Sequence, residues 1–196
     1  MMNNTSLNFL SMNECYLEEE GAYYICQGLL KNRSLKTLLL STNNLCDEGI
    51  VNFADVISFF SFALENLDLS NNFITDKGAV KFAKQLRKNQ NFLSINLSQN
   101  TLKNDSGQAF REAAAEHYRL EKLNLESNSI SMKDIEEINK LLKRNKDNSY
   151  KRKKPFFENE LRLLIVNSKQ TELNETMKMV ETLADNKSTI IEKNAQ

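Results

Sequence analysis

The chain has 196 residues, 40% of them hydrophobic and 27% charged, so it is long enough to bury a substantial core. Lysine plus arginine equals aspartate plus glutamate, at 26 each, which excludes a global field that would draw the protein to nucleic acid or to a membrane. Three cysteines, an odd number, and no signal-like or membrane-length apolar segment predict a reducing, cytoplasmic compartment.

A pattern of apolar residues begins at Leu7 and recurs about every 28 residues. Each copy has three apolar strand positions, a turn position with asparagine or cysteine, a further apolar residue and a small or polar residue. The five copies are Leu7, Leu10, Met12, Cys15, Leu17 and Gly21; Leu35, Leu38, Leu40, Asn43, Leu45 and Gly49; Leu64, Leu67, Leu69, Asn72, Ile74 and Gly78; Phe92, Ile95, Leu97, Asn100, Leu102 and Ser106; and Leu120, Leu123, Leu125, Asn128, Ile130 and Asp134. This spacing resembles the L-x-x-L-x-L-x-x-N-x-I/L signature of leucine-rich repeats.

The third copy, LENLDLSNNFITDKG, shows the chemistry of the spacing. Leu67 and Leu69 alternate along a short strand, so both point inward. Asn72 is predicted to pair with backbone groups that the following turn leaves unmade, and Gly78 to permit a close approach at the start of a helix. The same structural role is predicted for the whole turn column, Cys15, Asn43, Asn72, Asn100 and Asn128.

A helix is predicted after each turn because apolar residues recur there with helical spacing. The five stripes are Ala22, Ile25, Cys26, Leu29 and Leu30; Ile50, Phe53, Ala54 and Ile57; Ala79, Phe82, Ala83 and Leu86; Ala109, Phe110, Ala113 and Ala114; and Ile135, Ile138, Leu141 and Leu142. Strand, turn and full helix in about 28 residues resemble the ribonuclease-inhibitor class of leucine-rich repeat, most clearly in KNRSLKTL and GAVKFAKQLRKN. The resemblance covers roughly residues 4–146 and implies an α/β horseshoe with a parallel sheet inside and helices outside.

Beyond the repeat domain, predicted over residues 1–146, the register is lost. Residues 147–155 are predicted to be a basic linker, within a run of eight basic residues against one acid over 140–154. That run fits a solvated linker, a nuclear import signal or a contact with an acidic protein. Residues 156–196 are predicted to be an extension whose amphipathic helix docks on another subunit, with Leu173, Met177, Val180 and Leu183 on one stripe, whereas 161–166 fits strand or helix.

Catalytic chemistry is not expected. The single histidine, His117, lies at a predicted helix end, where a surface or capping role is favoured over that of a general base. Cys15 belongs to the turn column, and Cys26 to an apolar helix stripe. The sequence contains no phosphate-binding loop and no metal-ligand cluster, so it predicts a protein that is not an enzyme and needs no cofactor or metal.

The concave face of the sheet is the predicted binding surface. Alternate strand positions form three columns of mostly small, polar side chains: Phe9, Thr37, Asn66, Ser94 and Lys122; Ser11, Leu39, Asp68, Asn96 and Asn124; and Asn13, Ser41, Ser70, Ser98 and Glu126. Phe9 and Leu39 interrupt this polar surface near its N-terminal end, which indicates a contact patch for another protein.

Two further features also point to protein partners. Phe59, Phe60 and Phe62 occupy positions that are polar in neighbouring repeats, so they either extend the core or form an anchor on the rim. The first strand starts close to Met1 without an amphipathic cap, and we expect another chain to cover its edge.

Together these features predict a non-catalytic adaptor or scaffold in a larger intracellular assembly. Small members of the class with few repeats resemble subunits of ciliary or flagellar axonemal complexes, which implies a cytoskeletal location. The alternatives are a regulator of actin, by resemblance to the tropomodulin repeat domain, or a regulator of an enzyme or small GTPase. The fold alone does not choose among them.

Overall fold

A computed structural model describes residues 4–57 and 63–149. Five short strands alternate with helices along this part of the chain: β1 Phe9–Ser11, α1 Glu18–Lys31, β2 Thr37–Leu39, α2 Cys46–Ile57, β3 Asn66–Asp68, α3 Asp76–Leu86, β4 Ser94–Asn96, α4 Asn104–Glu116, β5 Lys122–Asn124 and a last helix, α5, over 132–149. The strands form one parallel sheet in the order β1-β2-β3-β4-β5. The predicted α/β solenoid is therefore confirmed.

Three sequence-based predictions fall outside the described residues. They are the phenylalanine cluster Phe59, Phe60 and Phe62, the linker over 147–155 from residue 150 onward, and the C-terminal extension over 156–196 with its helix. The division of the chain at residue 146 also stays a prediction.

The core lies between the sheet and the helices. The inward strand residues of the second and third repeats, Leu38, Leu40, Leu67 and Leu69, are at most 2% exposed. A phenylalanine from each of α2, α3 and α4 packs against them, and all three (Phe53, Phe82 and Phe110) are fully buried. Such burial contributes roughly 2 kcal/mol or more for each large side chain, and each repeat obtains it only by stacking on its neighbours.

The asparagine column ties consecutive repeats together. The Asn72 side-chain oxygen accepts hydrogen bonds from the backbone N–H groups of Asn43 and Leu45, at 2.9 and 3.3 Å. Its side-chain nitrogen donates to the carbonyls of Leu40 and Ser70, both at 2.9 Å. Most of these groups belong to the preceding repeat rather than to the turn of Asn72 itself. The predicted structural role is thus confirmed, and the asparagine bridges two turns instead of closing one.

The same bridge recurs along the column, except at its first member. Asn43, Asn100 and Asn128 each bond backbone groups of their own and the preceding repeat. Cys15 is exposed, and its thiol lies 3.2 Å from the carbonyl of Asn13 in the same turn. Its backbone N–H donates to Oδ1 of Asn43 at 2.9 Å. The first two repeats are therefore connected through the side chain of Asn43, whereas the bond of the Cys15 side chain stays within its own turn.

A second polar column, which was not predicted from the sequence, closes the loops from helix to strand. His117 is fully buried, and its Nδ1 accepts the backbone N–H of Leu120 at 3.0 Å. Asn32 accepts from Leu35 in the same way at 2.8 Å, while Asn89 accepts from Asn91. Of the two roles predicted for His117, capping is confirmed and a surface position is wrong. The available signal was a polar residue three positions before the first apolar residue of a repeat.

The N-termini of α3 and α4 are also capped from the preceding repeat. Asp47, in the first turn of α2, accepts from the backbone N–H groups of Thr75 and Gly78 at 2.9 and 3.1 Å. A Cβ on Gly78 would lie 2.5 Å from Cγ2 of Ile50, so the predicted close approach at this glycine is confirmed. Asp76 repeats the arrangement with Lys103 and Ser106. These contacts set the spacing between adjacent helices.

Candidate protein-interaction surface

The strand register places the predicted concave residues in lateral rows. Phe9, Thr37, Asn66, Ser94 and Lys122 are direct Cα partners across the five strands, and so are Ser11, Leu39, Asp68, Asn96 and Asn124. The third row lies two residues beyond the end of each strand and consists of Asn13, Ser41, Ser70, Ser98 and Glu126. The structure thus brings together all the residues predicted from the sequence to lie on the concave face.

Hydrogen bonds hold much of this face in place. Oδ1 of Asp68 accepts the backbone N–H and the hydroxyl of Ser70, at 2.9 and 2.7 Å, and its Oδ2 accepts from the Asn96 amide at 3.1 Å. The amide of Asn66 donates to the Thr37 hydroxyl at 3.2 Å. Side chains fixed in this way lose little further entropy when a surface forms an interface, so these hydrogen bonds make the face rigid.

Two apolar side chains interrupt the polar rows, as the sequence predicts. Phe9 is 52% exposed, and Leu39 is half-buried. They lie on adjacent strands, with Phe9 opposite Thr37 and Leu39 opposite Ser11, so they are diagonal neighbours on one face. At the other end of the sheet Lys122 and Glu126 are exposed. The face therefore changes from apolar at β1 to charged at β5.

The outer side of the first repeat is the least covered part of the described core. Leu10, Met12 and Leu17 are half-buried, although they occupy the positions of Leu38, Leu40 and Leu45, which are 0% exposed. Tyr16, Tyr23 and Tyr24 add aromatic surface to this repeat, at 81%, 47% and 64% exposed. No described residue pairs with the outer edge of β1.

The opposite end of the described solenoid carries a groove of about 290 Å³ between β5 and α5. Its walls include Leu125, Ile130 and Ile135, and Met132 at its mouth is 72% exposed. None of these residues was predicted from the sequence to belong to a site. Part of the fifth repeat is thus also left open within residues 63–149.

The environments of two cysteines favour the neutral thiol. Burial, reinforced by Asp55, raises the pKa of Cys26 far above its ordinary value. Burial and the nearby Glu19, Asp47 and Glu18 raise the pKa of Cys46. Since the thiolate is the reactive form, neither side chain is set up as a nucleophile at neutral pH, and the predicted core role of Cys26 is confirmed by its 1% exposure.

Residues 4–57 and 63–149 contain no group of three or more His, Cys, Asp or Glu side chains placed to hold a metal ion. Within the same ranges, none of the helices has the length and apolar character needed to cross a membrane.

Comparisons with known proteins agree with this architecture. One family model, described as "Leucine Rich repeat", matches residues 31–54 and 62–83. A second, described as "Leucine Rich Repeat", matches residues 119–141. The chain is 29% identical over 120 residues to human "NACHT, LRR and PYD domains-containing protein 13", and 30% identical over 123 residues to mouse protein 4C of the same series. These matches cover 61% and 62% of the chain but only 12% of each relative's length.

Two solved structures have a similar fold. One is "Leiomodin-1 Actin-Binding Site 2", with a TM-score of 0.66 and 18% identity, covering 79% of this chain and 88% of that one. The other is the tropomodulin C-terminal domain of Caenorhabditis elegans, with a TM-score of 0.69 and 15% identity, covering 77% and 91%. From its motifs, its parallel sheet and these matches, the chain is a leucine-rich repeat protein.

Proposed function

We propose that the protein is a non-catalytic adaptor that binds another protein through the concave face of its sheet. The observation that carries this proposal is the preorganised face itself. Five in-register strands present rows of outward side chains, and Asp68, Asn96 and Asn66 are fixed by hydrogen bonds within those rows. Phe9 and Leu39 supply the apolar contacts that commonly dominate binding energy at protein interfaces.

Actin is the first partner to test. Support comes from the likeness to the leiomodin-1 fragment, whose title names it an actin-binding site, and to the tropomodulin domain. At 18% and 15% identity this likeness shows a shared fold only, so the contribution of the surface residues is tested directly below. An actin-regulating role would place the protein at the cytoskeleton.

A structural role is the second candidate. The sequence-based prediction of a subunit in a ciliary or flagellar axonemal complex has no counterpart among the relatives described above, and it stays a prediction, as does regulation of an enzyme or small GTPase. Purification from the native source separates these roles. A stable, stoichiometric complex favours the structural subunit, and reversible binding to actin favours the regulator.

The test compares two double variants of the full chain for binding to monomeric and filamentous actin. Leu39→Glu with Lys122→Glu alters the concave face, and Lys81→Glu with Lys84→Glu alters exposed positions of α3 as the matched control. We expect the concave variant to lose at least about tenfold in affinity and the control to bind like the parent. Equal binding by all three folded proteins would show that the interface is elsewhere, and no binding by the parent would reject actin.

A further inference from the structure

The first repeat has the residues of an interior repeat but the exposure of an end. Its inward positions Leu10, Met12 and Leu17 are apolar yet half-buried. Exposed apolar surface grouped in one place commonly marks an interaction site. A partner that covers this side would complete the core of the repeat in the way that the second repeat completes its other side.

The backbone of β1 offers a regular edge to such a partner. The carbonyl of Asn8 accepts from Thr37 at 3.0 Å, and the N–H of Met12 donates to Leu39 at 2.9 Å. Even-numbered residues therefore bond β2, and by strand alternation the N–H and C=O groups of Phe9 and Ser11 point away from the sheet. The Phe-Leu-Ser sequence of β1 contains neither charge nor proline, which are common devices that protect edges.

The helix of the first repeat presents a matching side. Gly78 approaches the preceding helix at Ile50, and Glu137, on α5, bonds Arg111 of the preceding helix at 2.9 Å. The corresponding residues of α1 are Gly21 and Tyr24, so both lie on the side away from α2. Tyr24 stands at the middle of α1 and is 64% exposed.

Charge is divided between the two ends of α1. Glu18, Glu19 and Glu20 form the first turn of α1, at the end of the sheet where β1 finishes. Lys31 ends the helix, and Arg33 follows close to the start of β1, since the Asn32 amide donates to the Asn4 carbonyl at 2.9 Å. The N-terminal end of α1 is therefore acidic and its C-terminal end is basic, although Glu18 and Glu19 lie close enough to Cys46 of α2 to raise the pKa of that thiol.

We propose that the outer edge of the first repeat binds a second copy of this chain around a two-fold axis. The two β1 strands run antiparallel, with Phe9 of each copy opposite Ser11 of the other. The outward N–H and C=O groups of these residues then exchange hydrogen bonds as a bonded antiparallel pair. The two Leu10 side chains then meet at the axis, and their contact makes the two hydrophobic cores continuous.

The same operation matches the side chains. An antiparallel arrangement of the two copies of α1 brings Glu18–Glu20 of one towards Lys31 and Arg33 of the other, and brings the two Tyr24 side chains together at the axis. The two Phe9 rings become diagonal neighbours, a separation that aromatic side chains span. A second copy is thus self-complementary in backbone, charge and apolar surface at once, as an isologous interface requires.

The dimer goes beyond the adaptor function and does not depend on it. Its surface is the edge of β1 and the outward side of α1, whereas the proposed partner-binding variants lie at Leu39 and Lys122. If the Leu39 and Lys122 variants lose actin binding but keep the mass of the parent, the result bears on the adaptor function and not on the dimer. If a variant at the β1 edge no longer dimerises but still binds actin, the result bears on the dimer and not on the adaptor function.

The first test measures the mass of the full chain by sedimentation and light scattering at 1–50 µM, about the range of a moderate dimer. We expect a mass twice the 22.6 kDa of one chain, weakened by added salt because the charged ends attract. Ser11→Pro removes an outward N–H and should raise the dissociation constant at least about tenfold. The matched control Ser11→Ala keeps that donor and should dimerise like the parent.

The second test locates the axis and does not depend on Ser11→Pro folding. In a Cys15→Ser background, Tyr24→Cys should form a disulfide-linked dimer under mild oxidation. Lys81→Cys, at the same position of α3, should remain monomeric under the same conditions. Circular dichroism checks that each variant is folded.

Three results would overturn the proposal. They are a parent that stays at 22.6 kDa throughout, an open series of oligomers that indicates head-to-tail stacking, and a Tyr24→Cys variant that cross-links no better than Lys81→Cys.

Discussion

The first and third repeats follow one sequence template but occupy different environments. Leu67, Leu69 and Ile74 of the third repeat are at most 2% exposed, whereas Leu10, Met12 and Leu17 at the same positions are half-buried. The side chain of Asn72 in the third repeat connects two turns, whereas the side chain of Cys15 contacts only the carbonyl of Asn13 in its own turn. The difference arises from the neighbours of each repeat, because both repeats have the same local pattern.

This comparison shows how stability is distributed in a repeat protein. A repeat in the middle obtains burial and hydrogen bonds from both sides, so each of its residues supports two interfaces. A repeat at one end obtains them from one side. Matched substitutions in the two repeats therefore measure the value of a second neighbour.

The largest expected effect is from Leu69→Ala, set against Met12→Ala at the same position of the first repeat. Leu69 is 0% exposed in the core, so its truncation should lower the free energy of unfolding by about 2–5 kcal/mol. Met12 is half-buried, and its truncation should cost about 1 kcal/mol. Urea unfolding followed by circular dichroism measures both. Equal losses would mean that the first repeat is as fully packed as the third.

Much of the fold could be predicted from the sequence because it depends on short-range periodicity. The alternation of Leu67 and Leu69 gives the strand face, the stripes of Phe82 and Phe110 give the helix faces, and a repeat of about 28 residues gives the register between strands. The concave rows followed from that register. The identity of a protein that binds these rows could not be predicted from the register, because the core does not constrain which side chains point outward.

The next effect concerns the asparagine bridge. Asn72→Ala removes the side-chain partner of two backbone N–H groups and of the Leu40 carbonyl, all three in the preceding repeat. The Ser70 carbonyl loses one of its two donors and keeps the N–H of Thr42. We expect a loss of about 2–4 kcal/mol in the free energy of unfolding, because several of these groups are buried. Cys15→Ala removes only a contact to Asn13 and should change stability by less than about 0.5 kcal/mol. Similar losses in thermal or urea unfolding would show that the column does not bridge repeats.

His117 adds a pH dependence to the second polar column. Burial, assisted by Arg119, lowers the pKa of His117 from 6.5 to about 4, so the folded protein keeps it neutral. Below pH 6.5 the unfolded chain binds a proton that the folded chain refuses, and stability therefore falls as pH falls. Between pH 7.5 and pH 5 we expect a loss of about 2 kcal/mol from this residue.

His117→Asn is the matched control for that prediction. Asparagine occupies the corresponding positions in Asn32, Asn89 and Asn145, and its side-chain oxygen can accept the Leu120 N–H as Asn32 accepts Leu35. The variant should keep its stability at pH 7.5 and lose less at pH 5 than the parent does. The same slope in both proteins, measured by urea unfolding, would assign the pH dependence to other groups.

The backbone conformations of the turns could not be predicted from the sequence. The residues on either side of the asparagine column have positive φ without being glycine, among them Tyr16 at 51°, Asn44 at 54°, Asn71 at 53° and Phe73 at 56°. Bulky aromatic residues rarely adopt this region, and nothing in their type signals it. The strain is tolerated because the bridges on either side hold the turn in place.

The smallest expected effect separates strain from burial. Tyr16 and Phe73 are exposed aromatic residues in the left-handed region at the same turn position, which Asn44 fills in the second repeat. Asparagine visits this region at lower cost than an aromatic residue, so Tyr16→Asn and Phe73→Asn should each raise the free energy of unfolding by about 0.5–1 kcal/mol. The strain is local to the turn, and the two gains should therefore be equal, unlike the unequal losses at Met12 and Leu69. Paired urea titrations measure them. A gain at Phe73 without one at Tyr16 would mean that the turn of the first repeat relaxes in solution, because only one neighbouring repeat holds it.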